Sequence, residues 1–575
     1  MSNNNDAAIA LLEKHFDIAF AAPDGIKKLR ELILSLAMQG KLVPQDPSDQ
    51  PASELLKEIE RKKRKLLAEK KVKYKKISES PDIESRQYKI PNSWLWFSFK
   101  DVVFFQEGPG IRNWQFTNEG IKLLNVSNIL ADGNLNFSNS DKYVAVDEFL
   151  EKYTHFEVAD GDLLFASSGG SWGKIAWYKD PGFRVMLNTS TIRLRFFDDN
   201  FEENYLYYFL KTAFFREQME IQLVGMQPNF GSTHLSRIYI PLPPLAEQRR
   251  IVAKIDELMA RCDELEKLRG DRDRKQIAVH NSTLNRLLIA KEQSEFNTAW
   301  QFITQHFSEL YSVKQNVTEL RKTILQLAVM GKLVPQDPND QPASELLKEI
   351  AKGKERLIKE GKIKKPKPLP EIKPDEVPYN SPQAWEWVKL GQLTNIVRGG
   401  SPRPAGDPRF YDGVIPFLKV ADLTAKNEMY LSTHSYSIKE AGLHKTRLVP
   451  PDTLMLTNSG ATLGIPKICT FQTTFNDGIA AFIFMNAGLY KPFFYYFLAS
   501  KTSYFLNEAS RGQGQPNLNT EIIGETLICL PPLAEQQRIV AKIDQLMALC
   551  DNLEQQIDNA NSKQTNLLNA VMTKI

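Results

Sequence analysis

Cysteine is scarce: the chain has four in 575 residues, Cys262, Cys469, Cys529 and Cys550, none of them in a CxxC pair. The seven histidines do not gather near them or near each other at ligand spacing, so neither a disulfide framework nor a zinc site is expected. Long apolar runs are also missing. The longest, Ile238 to Leu245 and Ile479 to Met485, fall well short of the roughly 18 residues of a membrane span. The first ten residues hold asparagines and an aspartate in place of a basic stretch and an apolar run, so no export signal is expected and the default address is the cytoplasm. Charge is nearly balanced, 73 minus 69 or +4, so a nucleic-acid surface has to come from how charge is distributed. What remains is 42% hydrophobic and 25% charged, the values of a folded protein with room for several domains.

Catalytic equipment is missing too. No Gly-Lys pair is followed by Ser or Thr, which excludes a G-x-x-x-x-G-K-S/T phosphate loop. The Ser168-Gly169-Gly170-Ser171 and Arg398-Gly399-Gly400-Ser401 loops fall short of a dinucleotide fingerprint. The Pro-Pro pairs at Pro243, Pro450 and Pro531 lack the D/N-P-P-Y/F context of an adenine methyltransferase loop. No cofactor is therefore expected on this chain.

What is present is a duplication. Gly40 to Ile59 reads GKLVPQDPSDQPASELLKEI and returns as Gly331 to Ile350 with 19 identities in 20, an offset of 291. Pro243 to Glu266 returns as Pro531 to Glu554 with 20 identities in 24, an offset of 288. Between these blocks lie segments of nearly equal length that share only landmarks. Pro91, Trp94 and Trp96 match Pro382, Trp385 and Trp387, and Tyr207 to Leu210 matches Tyr495 to Leu498. Gln227-Pro228-Asn229 likewise matches Gln515-Pro516-Asn517. The shared aromatics read as core residues. Short β-rich runs such as Ile192 to Phe197 and Ile415 to Val420, broken by Gly, Pro and Asn, make each segment an α+β domain of about 150 residues.

The repeated blocks are helical. From Ile539 the apolar positions run Ile543, Leu546, Cys550, Leu553, Ile557 and Ala560, then Leu567 and Val571, in steps of four and three. That heptad seam predicts a helix of about 40 residues and roughly 60 Å after Pro531-Pro532. In the first copy Ile251, Ile255, Leu258, Cys262 and Leu265 repeat the register, which falters at Gly270 to Lys275 and resumes at Ile277, Leu284 and Leu288; a stutter or kink is expected there. Two such seams in one chain most economically pack on each other, with Cys262 and Cys550 as small buried hydrophobes. Lys57 to Lys76 carries eleven Lys or Arg against three Glu, and Lys352 to Lys367 is its shorter counterpart. Such runs are commonly solvated faces, but beside loops rich in Asn, Gln, Arg and Ser they also suit phosphate contacts.

The PPLAEQ blocks at Pro243 and Pro531, each opening a long helix after a variable domain, resemble the DNA-specificity subunit of type I restriction-modification enzymes. The resemblance covers almost the whole chain, and the stretches ending in GKLVPQ resemble the subgroup called type IB. It implies two target recognition domains, each reading one half of a split, asymmetric DNA site, separated by two long antiparallel coiled-coil helices that act as a ruler. It further implies a pseudo-two-fold, circular organisation in which the N-terminal helices complete the scaffold the C-terminal helix leaves unfinished. The subunit would have no catalysis of its own. It would bind double-stranded DNA, two modification subunits that hold S-adenosylmethionine and methylate a flipped adenine, and restriction subunits that use ATP and Mg.

On this reading residues 1–60 form an N-terminal helical segment, 61–86 a basic linker and 87–242 the first recognition domain. Residues 243–350 form the central helical region, 351–377 a second basic linker, 378–530 the second recognition domain and 531–575 the C-terminal helix. Base edges are read by polar side chains on loops. In the first domain the candidates are Arg112, Asn113 and Gln115, then Asn125, Ser127 and Asn128, Ser168 and Ser171, and Gln227 with Asn229. In the second they are Arg398, Ser401, Arg403, Lys419, Asp422, Thr457, Asn458, Ser459, Gln515 and Asn517. Each could equally serve a turn, and the Gln-Pro-Asn trio, present in both copies, suits a backbone contact better than a specificity element. The alternative from another class is a non-catalytic coiled-coil scaffold binding only proteins, which would lack steeply salt-dependent, sequence-specific affinity for duplex DNA.

Overall fold

The computed structural model describes residues 22–68, 88–197, 201–223, 228–363, 365, 368–483, 486, 488–507 and 517–572. The chain divides into two compact units, Met1–Asp271 with Ala560–Ile575, and Arg272–Asn559. Each contains an α+β domain attached to helices, and each is built on the same plan.

In the first unit, α1 (Gly25–Met38) buries Ile26, Leu29, Ile33, Leu34 and Ala37 along one stripe, as three- and four-residue spacing requires. It stops because Gly40 adopts φ +69°, which lets the Gly40 and Lys41 N–H groups close onto the carbonyls of Ala37 and Leu36. A Cβ on Gly40 would stand 2.4 Å from Pro91 Cγ, so the close approach of Pro91 also requires glycine. Helix α2 (Ala52–Ala68) follows. Strand β1 (Leu95–Ser98) pairs antiparallel with β10 (Tyr239–Leu242) at the root of the α+β domain. Between them lie β2 (Val103–Glu107), β3 (Phe116–Thr117), β4 (Ile121–Leu124), β5 (Tyr143–Val144), β6 (Leu163–Ala166), β7 (Ile175–Trp177), β8 (Val185–Leu187) and β9 (Thr191–Phe196). They form two four-stranded sheets, in the orders β2-β9-β6-β7 and β3-β5-β4-β8. Helix α3 (Glu203–Leu210) covers the first sheet, and α4 (Leu245–Ile289) leaves after Pro243-Pro244.

The second unit repeats this order. Helix α5 (Lys314–Val329) ends at Gly331 with φ +70° and the same pair of closing bonds, and α6 (Ala343–Lys359) follows. Strand β11 (Glu386–Lys389) pairs with β21 (Leu527–Leu530). Within the domain are β12 (Asn395–Arg398), β13 (Tyr411–Leu418), β14 (Tyr430–Leu431), β15 (Tyr436–Ile438), β16 (Leu448–Val449), β17 (Thr453–Thr457), β18 (Pro466–Cys469), β19 (Thr473–Phe475) and β20 (Ile479–Ile483). The sheets run β12-β20-β17-β18-β14 and β15-β13-β19-β16. The first four strands of the larger sheet thus reproduce β2-β9-β6-β7, and β15-β13-β19 reproduces β5-β4-β8. Helix α7 (Lys491–Ser500) takes the place of α3, and α8 (Leu533–Met572) leaves after Pro531-Pro532, 40 residues long as the seam predicts.

The seams depart from expectation in three respects. First, α4 is one unbroken helix of 45 residues through Gly270 to Lys275, because a lone glycine costs a helix only about 1 kcal/mol. What falters is burial: between Glu266 and Val279 no residue is buried. Second, in α8 Ala560 and Leu567 are exposed while Leu568 is buried and Asn561 and Gln564 are half-buried, so the stripe takes two successive steps of four at Leu553, Ile557 and Asn561. A straight helix drifts about 20° per heptad from a strict seam, and a four-residue insertion restores the face. Val571 lies outside the described side chains. Third, the first half of each seam packs on a helix of its own unit, while Leu284 and Leu287 in the second half of α4 share a core with Cys550 and Ile557 of α8 as expected. Ile251, Ile255 and Cys262 share a core with Leu29, Ile33 and Leu36 of α1, and Ile539, Ile543 and Cys550 share one with Ile324 and Ala328 of α5. Arg30 bridges Asp263 at 2.5 Å and Glu266 at 2.8 Å across the first, and Arg321 bridges Asp551 at 2.6 Å and Glu554 at 3.4 Å across the second.

The last turns of α8 belong to the unit that holds the N-terminal helix: Lys28 bonds Asn569, and Ala22 packs on Leu568. The basic stretches are partly helical, since α2 runs to Ala68 and α6 to Lys359. Within them Lys63 and Lys354 are structural, donating to the Lys100 carbonyl at 3.0 Å and the Gly391 carbonyl at 2.6 Å.

Candidate nucleic-acid interface

Each α+β domain is held on its helices by a buried carboxylate from the PPLAEQ block. Trp94 Nε1 donates to Glu247 Oε2 at 2.9 Å, and Trp385 Nε1 donates to Glu535 Oε2 at 2.8 Å. Gln45 and Gln336 donate to the other carboxylate oxygens. Burial pushes both carboxyls above their ordinary pKa, against the downward pull of the indole and amide donors. The next residues, Gln248 and Gln536, donate to the Pro243 and Pro531 carbonyls at 2.9 Å each and accept from the backbone N–H of Glu202 and Tyr490. Arg250 clasps Asp49 and Arg538 clasps Asp340, both at 2.6 Å. The motif is therefore a hinge plate that orients a domain on its helix.

At one end of the first domain, loops following β2, β4, β6 and β8 are bonded to one another. Gly108 N–H donates to the Thr191 carbonyl at 3.0 Å, Thr189 Oγ1 to the Pro109 carbonyl at 3.0 Å, and Ser167 N–H to the Ser190 carbonyl at 2.9 Å. Asn188 Nδ2 donates to Asn125 Oδ1 at 2.7 Å, and Ser168 forms an antiparallel bridge with Asn229. The corresponding loops of the second domain meet in the same way. Gly400 N–H donates to the Phe475 carbonyl at 3.1 Å, Asn476 N–H to the Leu418 carbonyl at 2.9 Å, Asn458 N–H to the Gly478 carbonyl at 2.9 Å, and Ser459 bridges Asn517.

The candidate residues divide by exposure. Arg112, Asn113, Ser127, Asn229, Arg398 and Arg403 are exposed, and Asn125, Ser168, Ser171, Ser401, Lys419, Ser459 and Asn517 are half-buried. Five are buried. Gln115 bonds Glu148 Oε1 at 2.7 Å and the Arg112 N–H at 2.9 Å. Asn128 Oδ1 accepts the Asn125 N–H at 2.8 Å, and Asp422 Oδ2 accepts the Lys419 N–H at 2.8 Å, the same turn in both domains. Thr457 holds its own loop through the Thr462 carbonyl and the Ile465 N–H, and Asn458 lies wholly inside. Gln227 and Gln515 lie outside the described residues. Cationic groups gather at the second cluster: Arg447 donates to the Arg398 carbonyl at 2.9 Å, Arg398 donates to the Asp477 carbonyl at 2.6 Å, and Lys419 Nζ stands 3.4 Å from the Tyr436 ring centroid.

Sequence reasoning missed Asn188 and Thr189 after β8, and Asn476 and Asp477 after β19, which stitch the loops together. The signal was available: Asn188 and Asn476 lie 288 residues apart, the offset of the second repeated block, each directly after an apolar residue, Leu187 and Phe475. Among the described residues no cluster of His, Cys, Asp and Glu could hold a metal ion, and no helix is long and apolar enough to cross a membrane.

A sequence model described as the type I restriction modification DNA specificity domain matches residues 91–271 and 382–560. The chain is 33% identical over 568 residues to the type I restriction enzyme EcoAI specificity subunit of Escherichia coli, covering 95% of this chain and 93% of that one. It is 30% identical over 566 residues to the EcoEI specificity subunit of the same species, with the same coverage. A solved structure from the type I R-M system aligns with 85% of this chain and 98% of its own, at 18% identity and a TM-score of 0.49. With both recognition domains inside the family match and the relatives spanning nearly the whole chain, the protein belongs to the family of type I restriction-modification DNA specificity subunits.

Proposed function

We propose that this chain is the sequence-reading subunit of a type I restriction-modification complex, each recognition domain reading one half of a bipartite, asymmetric site. The observation that carries the reading is a shared frame with partly unlike loops: the strand order and the Trp–Glu–Gln fastening repeat, whereas Asn125, Asn128, Ser167 and Thr189 of the first loop cluster are replaced by Lys419, Asp422, Asn458 and Asp477 in the second. A symmetric pair of readers suits a palindrome; two different readers on one chain suit two different half-sites. Exposed Arg112, Arg398 and Arg403 reach base edges or phosphates, and the buried turn residues hold the loops that present them. Helices α4 and α8 set the spacer and dock two modification subunits, with restriction subunits completing the complex. The chain is itself non-catalytic; S-adenosylmethionine, ATP and Mg are held by those partners.

Exchange of residues 87–242 for the first recognition domain of a relative tests this. Mapping of modified adenines is expected to show one half-site changed and the other kept; change in both halves overturns the two-reader reading. Steep salt dependence with a sequence-specific component at moderate salt separates it from a scaffold that binds only proteins.

A further inference from the structure

Among the described residues eleven buried side-chain atoms lack a hydrogen-bond partner, and four of them belong to three asparagines at the loop cluster of the second domain. They are Asn458 Nδ2 and Oδ1, Asn476 Oδ1 and Asn517 Oδ1. Asn458 is 0% exposed; the other two residues are half-buried. Backbone bonds tie the three segments into one wall: Asn458 N–H to Gly478 O at 2.9 Å, Leu518 N–H to Asn458 O at 2.7 Å, and the bridge between Ser459 and Asn517. Gly478 leaves the space beside them, since a Cβ there would lie 2.8 Å from Ser459 Oγ and 3.4 Å from Asn476 Oδ1.

Stability gives no reason to keep such a group, because a buried amide without a partner costs free energy. The first domain shows that the frame does not require it. Its counterparts by sequence offset are Ser167, Asn188 and Asn229. Asn188 donates to Asn125 at 2.7 Å and accepts from the Thr189 N–H at 2.8 Å, and Asn229 is exposed. Unmet hydrogen-bonding capacity at a loop cluster lined by Arg398, Lys419 and Arg447 points to a polar ligand carrying phosphate.

Building on the reading of the chain as a DNA-recognition subunit, we propose that Asn458, Asn476 and Asn517 form the base-reading centre of the second domain and select adenine. The unmet groups are three acceptors and one donor, and turning the Asn458 amide leaves that balance unchanged. In the major groove adenine and cytosine offer an exocyclic amino donor, whereas guanine N7 and O6 and thymine O4 only accept. Asn458, with both amide atoms unengaged, matches the adjoining N6 donor and N7 acceptor of adenine. Asn476 and Asn517 are half-buried residues whose unmet Oδ1 atoms are buried like those of Asn458, so the three amides regroup to take the base-pair edge.

The test is selection of bound duplexes by the full-length chain from a library randomised over both half-sites, compared with Asn458→Ser, which places at 458 the residue found at Ser167. The unsubstituted chain is expected to select adenine at one position of the second half-site. Asn458→Ser is expected to lower that preference about tenfold or more, the scale of a lost bidentate base contact, with the first half-site unchanged and the melting temperature not lowered. An unchanged second half-site, or selection of guanine, thymine or cytosine at the affected position, overturns the proposal while leaving the two-reader reading intact. Should Asn458→Ser not fold, Asn476→Ala and Asn517→Ala, both half-buried, must relax that same position or the proposal falls. Selection of no sequence by the unsubstituted chain defeats the underlying reading itself.

Discussion

Trp94 and Trp385 hold their carboxylates at 2.9 and 2.8 Å, and Gly108 and Gly399 donate alike to the Thr191 and Ile479 carbonyls, yet the loops that follow the first sheet strand of each domain carry unrelated side-chain bonds: Gln115 to Glu148 in one, Ser401 to Asp477 in the other. The contrast separates two demands on one chain. The fastening of a domain to its helix is the same in both copies residue for residue. Reading a half-site needs only that loops project from a rigid sheet end, so their contents are unconstrained by the frame. The shared turn at Asn125–Asn128 and Lys419–Asp422 marks the border: the side-chain-to-backbone bond is kept while the residues making it change.

The most severe way to break this comparison is at the fastening. Trp94→Ala and Trp385→Ala should each destabilise by about 3–5 kcal/mol, since a large buried ring is lost and a buried carboxylate loses its donor. Denaturant unfolding of each variant checks it; markedly unequal losses would show that the two plates are not equivalent. Next come the readers. Arg112→Ala should weaken binding only to duplexes with an intact first half-site and Arg398→Ala only to those with an intact second, by about 1–3 kcal/mol if a base is contacted. Titrations against duplexes scrambled in one half decide this, and a uniform loss across both would assign the arginine to phosphate. Smaller again, Arg250→Ala and Arg538→Ala should each cost about 1 kcal/mol, because both pairs are only partly buried, and the two losses should match.

The smallest effect concerns pH. Burial raises the Glu247 and Glu535 carboxyls above their unfolded value, so their contribution to stability is fully present below that value and is lost as pH rises through the folded one. Unfolding midpoints at a series of pH values should therefore show Glu247→Gln and Glu535→Gln gaining on the unsubstituted protein as pH rises from about 4 to about 7. A relative loss over that range would mean that the ionised form is the one the site favours.

Much of the frame was legible from local patterns. The Pro531-Pro532 pair and the alternating steps that follow placed a 40-residue helix that begins at Leu533. The unlike segments between repeated blocks were legible as α+β domains, and loops that carry some of the candidates, among them Asn125, Ser168 and Asn229 in one and Asn458, Ser459 and Asn517 in the other, are bonded to one another at one sheet end. Less visible was the division of labour among them. Gln115, Asn128 and Asp422 carry the polar chemistry expected of readers but spend it on neighbouring backbone, and no spacing rule distinguishes an amide aimed at a turn from one aimed outward. Glu247 passed unremarked as a helix-start residue because its indole partner lies 153 positions away.

By itself the sequence determined that one unit is duplicated, where its long helices begin, which face of each is apolar and which segments differ, since these follow from backbone periodicity, proline and glycine geometry and plain repetition along the chain. Tertiary structure alone decided that α1 and α5 pack on the first halves of the seams, that the step of four falls at Ile557–Asn561, that Glu247 and Glu535 anchor the domains, and that three asparagines of the second domain hold buried amide atoms without partners. Those outcomes depend on which surfaces meet across hundreds of residues, and such meetings are settled by packing in three dimensions.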